Sequence, residues 1–409
     1  MGNEKLVPKL RFVGFDDEWE EKSLGDILVR RKKQQKISKD VPLLAFAAGQ
    51  GVIDRSERKT NNRDFLTKDS ENKSYLLTEY NDIVYNPSNL KYGAIDRNTH
   101  GKGVISPIYV TFVSNVFPPF MEHVVKSYNF KQKALKYEEG TVTKRQSVHP
   151  KDLVKIKINI PKTEQERIKI GTFLSLIDKK TELLRKKCKE YQNFKKYLMQ
   201  QIFAQKLRFS IESSYSSYKL KDIVTKFSTG LNPRKNFKLN EGGENFYVTI
   251  KNFHNGLLSL DEKCDKIDDN ALKLINKRSD LQKDDLIFAS IGRVGEVYLI
   301  KSKPVNWNIN ESVFSLRPNK RFIEPKFLYY ILNSNKIQNY FKSNITGSTF
   351  KSIKMKDLKN TPVTIPDSFE LQNEIIQFLT SLDSKILLIN DELNNIVNFK
   401  KGLIQQMFV

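Results

Sequence analysis

The string Val116-Phe117-Pro118-Pro119-Phe120 comes within one residue of the Asn/Asp-Pro-Pro-aromatic loop with which a methyltransferase holds a base amino group. In such a loop the polar first residue and the backbone accept the amine hydrogens. Phe117 accepts nothing, so the string reads as a turn leading into a helix. Gly292-Arg-Val-Gly295 is too short for the glycine-rich strand-to-helix loop that S-adenosylmethionine needs, and no GxxxxGK[ST] is present for a nucleoside triphosphate. His100, His123, His149 and His254 are scattered without ligand spacing. Asp268-Asp269 and Asp284-Asp285 stand beside turns, without the partner lysine of a nuclease. These residue types point to a binder rather than an enzyme.

The residues suited to binding lie in loops. Arg30-Arg31-Lys32-Lys33 is a dense basic run, and Asn232-Pro-Arg234-Lys235 holds a comparable place in the second half. Ser290-Ile-Gly-Arg293 follows a buried-looking strand and ends in a guanidinium on a glycine turn, able to fork onto guanine O6 and N7. The matching loop of the first half, Asn86–Tyr92, offers Asn86 and Lys91 as donors. Thr141–Gln146, with Lys144, Arg145 and Gln146, matches Gly347–Lys351, with Ser348, Thr349 and Lys351. Small residues there admit a phosphate to the backbone, and a cation completes the contact. The net charge of +23 suits a polyanionic partner. A Lys-, Asn- and Ile-heavy composition from an A·T-rich genome raises charge without function, so charge alone does not decide.

What must position these loops is written in two helices. Asn193–Phe203 (NFKKYLMQQIF) returns 205 residues later as Asn398–Phe408 (NFKKGLIQQMF). Ile170, Leu174, Ile177, Thr181, Leu184, Cys188, Tyr191, Lys195, Leu198 and Ile202 step by fours and threes, and the same offset gives a second stripe from Ile375 to Met407. Cys188 falls on this seam as a core residue. Each helix follows an Ile-Pro, with Thr163 or Ser368 as the expected cap. Lys162–Lys206 has twelve basic and five acidic residues and Asp367–Val409 three and six, so the two helices suit an antiparallel pair. After the first copy the chain continues AQKLRF; the second copy's missing KLRF stands at Lys9–Phe12. The order is that of a ring cut open, with two homologous domain-plus-helix units.

Between the helices, Ile83–Tyr85, Val104–Phe112, Leu153–Ile160, Phe246–Ile250, Asp285–Ala289, Val297–Ile300, Val313–Leu316 and Pro362–Ile365 read as strands, with helices over Pro119–Tyr128 and Pro325–Phe341. Leu24-Gly-Asp-Ile matches Leu220-Lys-Asp-Ile, Asp82-Ile-Val-Tyr matches Asp285-Leu-Ile-Phe, and Lys151-Asp-Leu matches Lys356-Asp-Leu. The frame repeats while the loops diverge. The expected fold is α+β, with two mixed α/β domains joined by a pair of long antiparallel coiled-coil helices in a pseudo-twofold, circular repeat. The expected boundaries are 1–160, 161–208 (central helix), 209–366 and 367–409 (distal helix). No apolar run approaches a membrane span and the N-terminus lacks a signal core, so a cytoplasmic protein with no membrane partner is expected. With its two unpatterned cysteines, no disulfide framework or structural zinc is expected.

Two variable segments, each followed by a helix ending in NFKKxLxQQxF, with KLRF opening the next unit, resemble the DNA specificity subunit of type I restriction–modification systems. The resemblance implies two target recognition domains, each reading half of a bipartite site on double-stranded DNA. It implies helices that form the spacer and dock two modification (adenine methyltransferase) subunits, with two restriction subunits in the cleaving assembly. Phe194, Lys195, Lys196, Gln200, Gln201 and Phe203, with Phe399, Lys400, Lys401, Gln405, Gln406 and Phe408, are the implied docking and pairing residues. S-adenosylmethionine, ATP and Mg are implied for the partners, with no catalytic residue, metal or cofactor in this chain. The 33 residues from Ile375 to Met407 make a helix of about 50 Å, roughly 15 base pairs of DNA. Gly402 departs from Tyr197 of the first copy, and the first half lacks a Ser-Ile-Gly-Arg loop. The alternatives are a self-sufficient DNA-modifying enzyme with a cryptic site, or a coiled-coil scaffold whose basicity is compositional.

Overall fold

A computed structural model describes residues 6–57, 73–138, 147–209, 214–234, 236–347 and 351–409. It resolves into two compact units: Met1–Arg185 with Asp391–Val409, and Lys186–Asn390. The first long helix, Glu164–Phe203, and the second, Phe369–Met407, each contribute residues to both units.

The two units repeat one topology. In the first, Glu20–Ser23 pairs antiparallel with Lys157–Ile160, and a four-stranded sheet runs in the order Leu28–Arg31, Val110–Ser114, Ile83–Tyr85, Ile95–Arg97. In the second, Tyr215–Lys219 pairs with Pro362–Pro366, and the sheet order is Val224–Thr229, Val313–Pro318, Leu286–Ala289, Val297–Leu299. The local devices repeat too. Leu24 N donates to Ile156 O at 2.9 Å and Leu220 N to Thr361 O at 3.0 Å. Asp26 and Asp222 each accept from the backbone three residues earlier, closing the one-turn helices Leu24–Ile27 and Leu220–Ile223. Asp82 accepts from Glu79 N and Asp285 from Gln282 N, so the same carboxylate shapes the turn before the same strand.

Several expected elements break where proline or a turn intervenes. Val104–Phe112 is two strands, Gly103–Ile105 and Val110–Ser114, because Pro107 cannot donate to a continuing ladder. Leu153, where the expected strand Leu153–Ile160 begins, instead ends the helical turn Pro150–Leu153, leaving Lys157–Ile160 as the strand. Pro325–Phe341 divides into Pro325–Leu332 and Asn335–Ser343 at Asn333-Ser334, and Pro118–Lys126 is followed by Tyr128–Leu135. Ser368 caps the second long helix by accepting from Leu371 N at 3.2 Å. Thr163 does not cap the first: its hydroxyl is buried without a partner among the described residues.

Within each unit the two long helices run antiparallel. In the first unit Asp178 pairs with Lys400 and Lys180 with Glu392. In the second, Lys195 pairs with Asp383, and Cys188 lies 3.3 Å from Asn390. Lys195 and Lys400 are one repeat position, and so are Asp178 and Asp383; the same ion pair is built twice with donor and acceptor helices exchanged. Phe408 packs on Trp19 and Phe120, and its repeat mate Phe203 packs on Phe327. These two phenylalanines tie the helix ends to each unit's own core rather than to the other helix.

The displaced KLRF segments do equivalent work. Leu10 N donates to Gln406 O at 3.0 Å, and Leu207 N donates to Gln201 O at 3.2 Å. Phe12 meets Phe173 edge-on at 5.5 Å, and Phe209 meets Phe378 at 5.6 Å. Gln201 and Gln406, and likewise Phe173 and Phe378, are 205 residues apart. The units differ at one buried position. Arg11 forks onto Glu166 with two 2.8 Å bonds in the first, whereas the second has Leu371 there and Arg208 exposed.

Candidate nucleic-acid interface

In the first unit, Arg30 and Lys32 are exposed on and just beyond the edge strand Leu28–Arg31. Arg31 is turned inward. Its guanidinium forks onto the buried Asp82 at 2.8 and 3.0 Å and meets Glu79 at 2.9 Å. This structural pairing holds the strand to the turn below it, so Arg31 is not offered to solvent as the sequence reading expects. In the second unit the matching carboxylate, Asp285, is held by Arg317, which comes from the neighbouring strand. Asp285 is the first cause of Arg317's raised pKa.

Asn86 caps the 3-10 turn Pro87–Tyr92 that carries Lys91 and that Gly93 closes in the left-handed region (φ 77°). Asn86 accepts from Ser88 N at 3.1 Å, and Lys91 lies 3.6 Å from Glu138 and over the Tyr92 ring. Lys144, Arg145 and Gln146 lie outside the described residues, as do Lys235, Ser348 and Thr349. Arg234 is exposed beside Asn232, whose amide donates to Glu311.

The structure brings Ser290, Arg293 and Lys351 together. Gly292 N donates to Lys351 O at 3.0 Å and Ile353 N to Ser290 O at 2.9 Å. The Ser290 hydroxyl donates to Ser312 O. One nitrogen of the Arg293 guanidinium expected to fork onto a guanine, Nη2, is given to two backbone carbonyls. It donates to Ile250 O at 2.5 Å and Phe253 O at 2.8 Å, while Glu296 lies 3.4 Å from Nε. Glu296 in turn meets His254. Two loops are thereby stapled into one surface on which Lys251, His254 and Lys351 are exposed. Lys251 and His254 carry no sequence motif. Their only signal is the turn Thr249–Asn252, where Asn252 accepts from Thr249 N at 2.8 Å.

On the helices, Lys196, Gln200, Lys401, Gln405 and Gln406 are exposed, and Gln201 is half-buried. Lys195 and Lys400 sit inside their ion pairs, with Tyr330 donating to Asp383 at 2.7 Å in the second unit. In the first unit His123 takes the place of Tyr330. It is buried, 3.9 Å from Asp178, and burial aided by the Lys400 ammonium pushes its pKa down to about 4. Apolar side chains stand in water at duplicated positions: Leu183 and Leu388, and Phe194 and Phe399, each half or more exposed. Among the described residues no group of His, Cys, Asp or Glu could hold a metal ion, and no helix is long and apolar enough to cross a membrane.

The fold defines a class: a duplicated α+β chain whose two units are each built on a pair of long antiparallel helices. Solved proteins share it. The S subunit of a type I restriction–modification system from M. genitalium superposes with a TM-score of 0.62 at 17% identity, covering 98% of this chain and 99% of that one. A chain from a structure of complex assembly and conformational transition in the type I R-M system superposes at 0.53 with 15% identity, covering 97% and 99%. Residues 212–398 match the type I restriction modification DNA specificity domain. The EcoBI specificity subunit of Escherichia coli is 28% identical over 166 residues, 37% of this chain and 35% of that protein. The putative MjaX specificity subunit of Methanocaldococcus jannaschii is 30% identical over 154 residues, 35% of this chain and 36% of that protein. The matched stretches thus span about a third of the length of these curated relatives. Residues 212–398 thus resemble a type I specificity domain, and the whole chain has the fold of the solved M. genitalium S subunit.

Proposed function

We propose that this chain is the non-catalytic specificity subunit that reads a bipartite site on double-stranded DNA. It docks two modification subunits and, through them, two restriction subunits. The observation that carries the reading is the duplication itself: one frame, repeated hydrogen bond for hydrogen bond, supporting two unlike sets of exposed loops. A repeated frame offers equivalent surfaces to two copies of a partner. The exposed Leu183 and Leu388, with Phe194 and Phe399, support docking, because large apolar side chains held in water at duplicated places mark an interaction surface. The net charge of +23 supports a polyanionic ligand. S-adenosylmethionine, ATP and Mg are assigned to the partner subunits, and the assembly works in the cytoplasm.

The test is a footprint of the purified chain with and without modification subunits, at several salt concentrations. Two short protected tracts separated by an unprotected spacer are expected, weakening with salt and strengthening with partner. A single contiguous tract argues against the bipartite reading, and methyl transfer or cutting by the chain alone refutes the non-catalytic one.

A further inference from the structure

In the first unit the hairpin Leu44–Ala47/Gly51–Asp54 and the turn Pro87–Tyr92 border an open cavity of about 540 Å³. That lies within the range of roughly 300–1,000 Å³ usual for small-molecule sites. Its floor is aromatic: Phe46 and Tyr109 are buried, with ring centroids 5.5 Å apart. Gln50, Asn86 and Asn89 line its walls. Asn86 uses its carbonyl oxygen on Ser88 N, while the amides of Gln50 and Asn89 have no hydrogen-bond partner among the described residues. Among the described residues Glu57 lines the cavity and no lysine or arginine does, which disfavours a phosphate or any other anion. Rings to stack on and neutral donors and acceptors suit an uncharged planar heterocycle.

We propose that this cavity binds a nucleobase taken from the DNA half-site that the first unit reads, which rests on the DNA-reading role above. A base within the duplex stack cannot reach a floor recessed behind two loops, so the base must leave the stack to enter. Stacking on Phe46 and Tyr109 offsets the lost neighbours, and the unpartnered amides of Gln50 and Asn89 take up its hydrogen-bonding edge. Tyr92, 69% exposed at the rim, supplies a ring for the outer face.

The test uses the full chain without modification subunits, which in the proposed assembly act on bases themselves. Methylome sequencing of a strain carrying the system gives the target. Duplexes are then made with 2-aminopurine or pyrrolo-cytosine at each position in turn. One position is expected to brighten at least about threefold on binding, as a base leaving its stack does. The Gln50→Ala/Asn89→Ala variant changes only exposed side chains. It is expected to abolish that signal and weaken binding about tenfold, with the other half-site's footprint unchanged. Duplex binding with no bright position overturns the proposal, as does a bright position that survives in the variant. Failure to bind any duplex overturns the DNA-reading role instead. Adenosine and thymidine are also titrated into DNA-free protein by saturation-transfer NMR. If they bind the wild type and not the variant while every duplex stays dark, the occupant is a free nucleoside and the DNA source is refuted.

Discussion

In the first unit the strand Ile83–Tyr85 runs into a turn whose side chains line an open cavity. In the second, the corresponding strand Leu286–Ala289 runs into a turn that Arg293 staples to the carbonyls of residues 250 and 253. Below these turns the units are nearly interchangeable, down to Asp82 and Asp285 accepting the same backbone bond. The contrast separates what the fold needs from what it leaves free. Carboxylates that shape turns and leucines that fill seams are constrained by burial, and they repeat. A loop carried beyond the end of a strand is constrained only by its anchor, so one frame can bear unlike surfaces.

Four sets of substitutions test how far the two units are equivalent. The largest effect is expected at Glu166, which is 1% exposed and holds Arg11, whose side chain is 11% exposed. Glu166→Leu installs the residue of the second unit but strands a buried guanidinium, and should destabilise by about 3–5 kcal/mol in urea titrations. Arg11→Leu with Glu166→Leu should recover most of that loss; no recovery would mean that the pair is not what Glu166 contributes. Next come the helix-end rings. Phe408 touches two aromatic partners and Phe203 one, so Phe408→Ala should cost about 3 kcal/mol against about 2 for Phe203→Ala. Equal losses would show the two anchors to be interchangeable.

The third concerns pH. His123, among Asp178, Lys400, Glu122 and Lys126, has its pKa lowered from 6.5 to about 4 in the folded state. Between those values the unfolded chain binds the extra proton, so the stabilisation is present above pH 6.5 and is lost as pH falls towards 4. By pH 5 the loss should reach about 2 kcal/mol. His123→Gln should flatten the dependence of stability on pH between 7 and 5; an unchanged slope would place its origin elsewhere. The smallest effect is expected from Arg293→Ala. Loss of a loop staple should weaken binding at one half-site by about 1 kcal/mol while leaving the recognised bases the same. A changed base at that half-site in methylome sequencing would restore Arg293 as a base reader.

The sequence showed the frame because repetition and periodicity are properties of the chain itself. The seam from Ile170 to Ile202, its copy 205 residues on, and the KLRF segments were all visible, and each has a structural counterpart. The loops were less legible. Arg31 and Arg293 look like free cations in the sequence, and only the structure brings Asp82 and the carbonyls of Ile250 and Phe253 to them. The cavity floor joins Phe46 to Tyr109 across 63 positions, beyond the reach of any local pattern. Its hairpin did leave a trace in Gly49 and Gly51, both at positive φ, within Ala47-Ala-Gly-Gln-Gly51.

The hydrogen bond from Leu10 to Gln406 has a consequence for synthesis on the ribosome. The second unit is one continuous stretch, Lys186–Asn390, and can close as soon as that stretch has emerged. The first needs Leu403, Met407 and Phe408 for its core and Gln406 for its leading segment, so after Arg185 it stays open until the 223 residues from Lys186 to Phe408 have been added. The part translated first is thus completed last, and until then its seam leucines are exposed to solvent, where aggregation and chaperones compete for them.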